Sequence, residues 1–122
     1  MHRVPPGERL SCLRFPAPSS RLNPDDPPIH EIPNYTVFQC RCGLRIQLQP
    51  ANFVEAAVHP KTRLSPEDSK AADRAAERSG PADSFLDWYC PGCGAAARVY
   101  FAGGVADKGI FFVEVGDVVE SA

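Results

Sequence analysis

Alternating apolar and polar residues predict that the middle and the end of the chain form short strands. In the segment LRIQLQ at 44–49, every second residue is apolar, which is the pattern of a strand with one buried face. Four further segments are rich in β-branched and aromatic residues and are also predicted to be strands: 35–40, 84–90, 96–102 and 110–115. The glycine-rich segment AGGVADKG, between the last two strands, is expected to form a hairpin loop.

Two helices are predicted as an insertion at about 50–80, between the second and third strands. The first, at 50–60, is bounded by prolines. The second, at 65–79, has Ser65 in position to cap its N-terminus, a proline at its first helical position and Asp68 where a capping box places an acid. Alanines recur along it at helical spacing, and a Gly-Pro pair follows it. Since alanine buries little area, we expect this helix to pack lightly on the sheet.

Residues 1–33 are predicted to be an extended arm, because they hold eight of the 13 prolines and proline prevents a helix from propagating. Apolar residues nevertheless recur in the arm and would anchor it on a surface, either its own or that of a partner: Val4, Leu10, Leu13, Phe15, Leu22, Ile29 and Ile32. The packed domain is then 34–122. The fold class expected is mainly β (α+β), a small antiparallel sheet with an inserted helix and this N-terminal arm.

Charge disfavours a dedicated nucleic-acid binder, because the chain of 122 residues has a net charge of −2 and phosphate binding requires a basic surplus. A local surplus occurs at 34–63, where four basic residues face one acid, Glu55. These four residues keep a nucleic-acid or transcription module open as an alternative: Arg41, Arg45, Lys61 and Arg63. No signal-peptide pattern and no apolar run of about 20 residues is visible, so a cytoplasmic location is expected.

Four of the five cysteines form two similar short motifs, Cys40-x-Cys42-Gly and Cys90-x-x-Cys93-Gly. Zinc prefers four thiolates in a tetrahedron, and two turns that each supply two sulfurs would provide them when brought face to face. The glycine after each second cysteine would permit a positive φ, and the backbone N–H groups freed by the turn could donate to the thiolates. The pattern therefore predicts one structural zinc ion, whose four-thiolate charge Arg41 could help to offset, together with Arg45.

The segments CRCG and CPGCG resemble the two knuckles of the zinc-ribbon family, in which two hairpin tips clasp one ion. The resemblance implies that Cys40, Cys42, Cys90 and Cys93 are all metal ligands. The chain departs from that family in its shorter first knuckle and in the 47 residues, 43–89, that separate the two pairs. The predicted helices would account for most of this separation as an insertion between the hairpins. Zinc ribbons serve many purposes, so the resemblance indicates metal binding more than a task.

The same cysteines are also compatible with other chemistry. The CPGC segment, with Cys90 and Cys93, could form a thiol–disulfide exchange site, although this leaves the first pair unexplained. Two structural disulfides would require an oxidising compartment, and an iron–sulfur site is a further alternative. Cys12, in the arm, is expected to be a free thiol.

No enzyme is predicted, because a four-cysteine site has no open position for water and no catalytic motif is recognisable. We expect a non-enzymatic, zinc-stapled interaction or assembly protein, such as a structural component of a virion or of another large complex. Protein partners are expected to bind through the arm and through an aromatic sheet face. The aromatic residues concerned lie late in the chain: Phe85, Trp88, Tyr89, Tyr100, Phe101, Phe111 and Phe112.

Overall fold

The computed structural model describes residues 1–17, 35–76, 83–105 and 111–121. Its strands are antiparallel throughout this part of the chain, and the expected mainly β, α+β fold class is confirmed. The elements in chain order are β1 (His2–Val4), α1 (Pro6–Arg9), β2 (Arg14–Ala17), β3 (Thr36–Gln39), β4 (Arg45–Leu48), α2 (Pro50–Val58), α3 (Pro66–Ala75), β5 (Ser84–Tyr89), β6 (Ala96–Val105) and β7 (Phe111–Glu120).

The larger sheet has the strand order β1-β7-β6-β5, and β2 pairs with the remaining length of the β7 edge that β1 occupies. Residues 1–17 of the predicted arm therefore complete the sheet of this same chain. Val4 and Leu10, two of the predicted anchors, are buried there. The rest of the arm and the residue after it, 18–34, lie outside the described residues, so the division at residue 33 stays a prediction.

The smaller sheet is the two-stranded hairpin of β3 and β4. Its β3 side is attached to the N-terminal segment by a bridge between Leu10 and Phe38 and by a hydrogen bond from the Ser11 N–H to the Val37 carbonyl at 3.1 Å. The β4 side has no strand partner among the described residues. This hairpin packs on the larger sheet, where Phe38 joins the main buried core.

Both faces of β6 are covered, one by each longer helix. Phe53 of α2 packs against Phe101 with ring centroids 5.0 Å apart, while Ala72 of α3 packs on the opposite face against Tyr100. This explains how the adjacent aromatic residues of β6 can both be buried, although neighbours on a strand point to opposite faces. No helix in the described ranges is long and apolar enough to cross a bilayer.

The predicted helices and strands agree with the structure except at some ends. α3 begins as predicted, with the Ser65 hydroxyl accepting the N–H of Asp68 at 3.1 Å, and it ends at Ala75. Residues 77–82, which include the predicted stop, lie outside the described part. The predicted start of the hairpin loop, at residue 102, was wrong, because β6 continues to Val105 and pairs with β7 along this length.

The side chain of Arg98, on β6, is only 1% exposed. Its positive charge is balanced by a buried carboxylate of the same chain. Its Nε and Nη2 atoms donate to Asp87 Oδ2 at 3.1 and 2.8 Å, and Nη2 also reaches the hydroxyls of Ser69 and Thr62. The other oxygen of Asp87 accepts the backbone N–H of Arg63 at 2.7 Å. One ion pair thus connects β5, β6, α3 and the segment that leads into α3.

Removing the carboxylate from this pair with Asp87→Asn is expected to lower the free energy of unfolding by about 3 kcal/mol, because it leaves a buried guanidinium without its main counter-charge. The measurement is urea unfolding followed by circular dichroism. Asp83→Asn, which alters an exposed carboxylate just before the same strand, should change stability by less than about 0.5 kcal/mol. Equal stabilities for the two variants would contradict this role of the buried pair.

A second buried carboxylate, Glu120, attaches the N-terminal segment to β7. Arg9 donates to both of its oxygens, from Nη2 at 2.9 Å and from Nε at 3.2 Å, while Glu120 is only 2% exposed. Burial alone would raise the pKa of the Glu120 carboxyl, but the hydrogen bonds and charge of Arg9 outweigh burial, so this pKa lies below its usual value. Its ionised form therefore stabilises the fold.

Glu120→Gln is expected to lower the free energy of unfolding at pH 7 by roughly 1.5–3 kcal/mol, the value of hydrogen bonds to a charged group. Because the folded-state pKa is depressed, this stabilisation is present above the ordinary carboxyl pKa and is lost as pH falls through the folded value. Urea unfolding at a series of pH values should therefore show the wild type and the variant converging in acid. Glu114→Gln, an exposed position on the same strand, supplies the control. If the free energies of unfolding of wild type and Glu120→Gln differed by the same amount at every pH, the prediction would be contradicted.

Candidate metal centre

The two cysteine motifs form the tips of two hairpins, β3–β4 and β5–β6. Each tip is closed in the same way, because the N–H of the first cysteine donates to the carbonyl beyond the glycine: Cys40 to Leu44 and Cys90 to Ala95, both at 2.8 Å. The glycines take positive φ angles, 95° at Gly43 and 77° at Gly94. The expected conformational role of these glycines is thus present in both knuckles.

The one-residue difference between the motifs is absorbed within the turns. In the first, the glycine N–H donates to the carbonyl three residues back, from Gly43 to Cys40, and in the second it reaches four residues back, from Gly94 to Cys90. Both bonds are 2.8 Å long. The spacings C-x-C and C-x-x-C therefore lead to the same closing hydrogen bond between the two strands of each hairpin.

The four sulfurs of Cys40, Cys42, Cys90 and Cys93 converge, all lying within 4.8 Å of one another. Two of these separations join one knuckle to the other: 3.6 Å from Cys40 Sγ to Cys93 Sγ, and 3.7 Å from Cys42 Sγ to Cys90 Sγ. Four thiolates at 2.3 Å from a common tetrahedral centre are about 3.8 Å apart. The donor set and its spacing therefore fit a four-coordinate metal ion.

The site is half buried. The first cysteine of each motif, Cys40 and Cys90, is 4% exposed, whereas Cys42 and Cys93 are exposed. Burial is the largest influence on the Cys40 thiol and raises its pKa to about 12. The Cys90 sulfur instead accepts the backbone N–H groups of Cys93 and Gly92, which lowers its pKa to about 6. Backbone donors thus stabilise a thiolate before any cation is added, and a metal ion would favour deprotonation of the whole set.

An aromatic pair lies behind the sulfurs and joins the two hairpins. Phe38 and Trp88 meet edge to face with ring centroids 4.9 Å apart. Each ring is two residues before the first cysteine of its knuckle, and residues two apart on a strand share a face. The repeated spacing, Phe38-x-Cys40 and Trp88-x-Cys90, is a sequence signal that the motif analysis missed. It marks the contact that holds the two tips at metal-binding distance.

The remaining candidate side chains are those of Arg41, Arg45 and Cys12. Arg41 donates to the backbone carbonyl of Ser121 at the end of β7, so its guanidinium fastens the first knuckle to the sheet. Arg45 is exposed on β4. The Cys12 thiol approaches the carbonyl of Arg14 at 3.1 Å and is not part of the cluster.

Comparisons with protein-family models, with curated proteins and with solved structures found no match for the chain. What the structure supports is a group of four cysteines within metal-binding distance, consistent with a zinc-ribbon-like site. The likeness to that family rests on the two knuckles and on their hairpins.

Gly94→Ala is expected to destabilise the protein by about 1–2 kcal/mol, because a side chain at positive φ crowds the following carbonyl. A Cβ at this position would meet no other atom within 4 Å, so the cost would arise from the backbone alone. Gly7→Ala is the matched control, since its Cβ also enters open space and its φ is not positive. Thermal unfolding of the metal-loaded proteins measures both, and an equal effect of the two substitutions would contradict the assigned role of Gly94.

Proposed function

We propose that this protein is a non-enzymatic interaction or assembly component whose fold is stapled by one structural zinc ion. The observation that carries the proposal is the convergence of the four cysteine sulfurs at tetrahedral spacing. Four-sulfur tetrahedral sites are typical of zinc or of iron. The proposal takes zinc because two-knuckle sites of this kind resemble zinc ribbons, and a reducing compartment such as the cytoplasm would keep the thiols available.

A structural role for the ion follows from the coordination. Four protein ligands leave no position for water or substrate, so the proposed zinc would not act as a catalyst. A two-stranded hairpin is only marginally stable by itself, and β3–β4 is such a hairpin. Zinc binding to peptides of the zinc-finger type supplies roughly 10–16 kcal/mol of folding free energy. The proposed ion would therefore fix this hairpin against the larger sheet.

The redox alternative at Cys90 and Cys93 is less well supported than the metal site. Sulfurs of the two knuckles lie 3.6 and 3.7 Å apart, as a shared ion requires, and the first pair of cysteines is then explained as well. A thiol–disulfide exchange site needs only the second pair. This alternative stays a prediction, and an unreactive, metal-bound thiol pair would exclude it.

The proposed interaction role needs exposed surface. Part of the predicted arm is unavailable for it, because Val4 and Leu10 are buried in the sheet of this chain. Leu13 remains 39% exposed, close to Tyr35, which is 42% exposed. Hydrogen bonds between Cys12 and Thr36 hold the two segments together. These two residues are the described part of the arm region that offers apolar surface to a partner.

Protein purified without added metal is expected to contain one equivalent of zinc, because the four thiolates form a complete ligand set. Cys42→Ser should lose most of the metal and unfold at lower temperature, since three thiolates and a hydroxyl bind zinc poorly. Plasma emission spectrometry and thermal unfolding measure the two effects. Cys12→Ser is the control and should retain both metal and stability.

Two results would contradict this proposal. Less than half an equivalent of zinc with four freely titratable thiols would exclude the metal staple. A visible iron–thiolate absorption band together with one equivalent of iron would show that the bound metal is iron and not zinc, with the same four ligands.

A further inference from the structure

A cleft opens between the hairpin β3–β4 and the edge of the larger sheet. One part of it, a cavity of about 280 Å³, is lined on one side by residues 46–48 of β4 and on the other by residues 86–89 of β5. An adjoining cavity of about 490 Å³ extends it along α2 to the segment 59–63. The two share lining residues, among them Arg63, so they form one groove.

The groove runs along strand edges rather than along sheet faces. Alternate residues of a strand point to opposite faces, so a surface lined by a face would show only every second residue. Here successive residues of both β4 and β5 line the groove. Their backbone edges therefore border it.

Strand register shows which backbone groups are directed into the groove. The N–H of Cys40 donates to the carbonyl of Leu44, so these two residues form a hydrogen-bonded pair. In an antiparallel ladder, hydrogen-bonded and non-hydrogen-bonded pairs alternate. Val37 and Gln47, three pairs farther along, are therefore a non-hydrogen-bonded pair. Val37 agrees with this count, because its carbonyl accepts the Ser11 N–H on the far side of β3. Gln47 thus directs its N–H and its carbonyl away from β3, on the side where it lines the groove.

The same count applies to β5, where Cys90 and Ala95 are the hydrogen-bonded pair, so Asp87 and Tyr89 direct their backbone groups outward. No described residue forms a backbone hydrogen bond with the outer edge of β4 or of β5. Unpaired edges of this kind are templates for a further strand.

Side chains around the groove indicate the chemistry of its occupant. Lys61 and Arg63 line the groove, and Arg45 precedes the lining residue Ile46 on β4. All three are exposed and form no ion pair with any described residue. Glu55 is the one exposed acid on the lining, since the carboxylate of Asp87 is already bonded to Arg98. Apolar contact is available from the wall, where the indole of Trp88 has a buried N–H without a hydrogen-bond partner among the described residues.

We propose that this groove binds an extended, acidic segment of a partner protein, which adds as a strand to the open edge of β4. Main-chain hydrogen bonds to Gln47 would align the segment, as in other cases of β-strand addition. Acidic side chains of the segment would meet Arg63 and Lys61, while alternate apolar side chains would contact Trp88. The inference deepens the proposed function, because it names the surface and the class of partner that an interaction component requires.

The experiment begins with a display library of short random peptides selected on the zinc-loaded protein. Selected peptides should be rich in glutamate, aspartate and β-branched residues and poor in proline. Each synthesised peptide is then titrated while the fluorescence of Trp88, the single tryptophan of the chain, is followed. Failure to select any peptide that perturbs Trp88, or selection of basic peptides, would overturn the proposal.

Two variants at one position separate backbone pairing from side-chain contact. Gln47→Pro removes the outward N–H, and proline is tolerated on an edge strand, so the ladder to β3 can persist. It should weaken peptide binding at least about tenfold, corresponding to about 1.4 kcal/mol. Gln47→Ala removes the same side chain but keeps the N–H, and it should bind within about threefold of wild type. Equal weakening in both variants would exclude strand addition at β4.

A test on the peptide avoids any dependence on how the variant folds. Two versions of a selected peptide are made, one methylated at the odd-numbered backbone nitrogens and the other at the even-numbered ones. One version should lose binding and the other should keep it, because only alternate amides of the peptide face β4. Equal effects of the two methylated peptides would overturn the proposal.

Charge is tested with Arg63→Glu, which should weaken an acidic peptide at least fivefold, whereas Arg74→Glu, on the exposed side of α3, should not. Single-stranded DNA is titrated in parallel, and tighter binding of DNA than of peptide, falling steeply with salt, would overturn the proposal in favour of nucleic acid.

Zinc content is measured for every variant. A protein that carries zinc but binds no peptide contradicts only this inference, whereas a protein without zinc contradicts the proposed function.

Discussion

The tertiary structure depends on the convergence of two hairpin tips, each of which supplies two sulfurs to a single cluster. This convergence joins a two-stranded sheet to a larger sheet, although β4 pairs with no strand of the larger sheet in the part of the chain that the structure describes. Two structural features enforce it: glycines at positive φ shape both turns, and the contact between Phe38 and Trp88 fixes the distance between the strands that carry them. The glycine N–H donates three residues back in the C-x-C turn and four residues back in the C-x-x-C turn, and both turns then close with the same type of hydrogen bond from the first cysteine. Two unequal spacings can therefore supply sulfurs to one cluster.

Away from the sulfurs, two buried ion pairs stabilise the fold together with the apolar core. The pair of Arg98 and Asp87 joins α3 and the segment before it to β5 and β6, and the pair of Arg9 and Glu120 joins the N-terminal segment to β7. Charges removed from water are stabilising only when they are fully bonded, and both carboxylates meet this condition. The consequence is that the inserted helix and the chain start are each held by a specific polar contact.

Clasping the hairpins at their tips also determines what remains open. The groove that we propose as a peptide site lies between β4 and β5 and extends along α2. The proposed staple would thus fix β4 and leave its outer edge open. The proposed function and the proposed binding surface are in this way two consequences of one geometric arrangement.

Local patterns in the sequence predicted the elements that local physics controls. Alternation of apolar residues identified β4, the proline boundaries identified α2, and Ser65 with its following proline marked the start of α3. The four cysteines of the candidate site were also identifiable, because a tight turn with glycine has a recognisable spacing. These features depend on neighbours within a few residues, and such neighbours are visible in a single chain.

Only the tertiary structure decided which distant segments meet. Nothing in the proline-rich start indicated that β1 and β2 would pair with β7, because strand pairing between the two ends of a chain has no local signature. The burial of Arg98 and Glu120 was likewise invisible, since their partners Asp87 and Arg9 become partners only after the sheet forms. The sequence by itself therefore determined the strands and helices from β3 onward and the group of four cysteines. Long-range packing decided the pairing of the N-terminal segment, the placement of the buried charges and the open edge of β4.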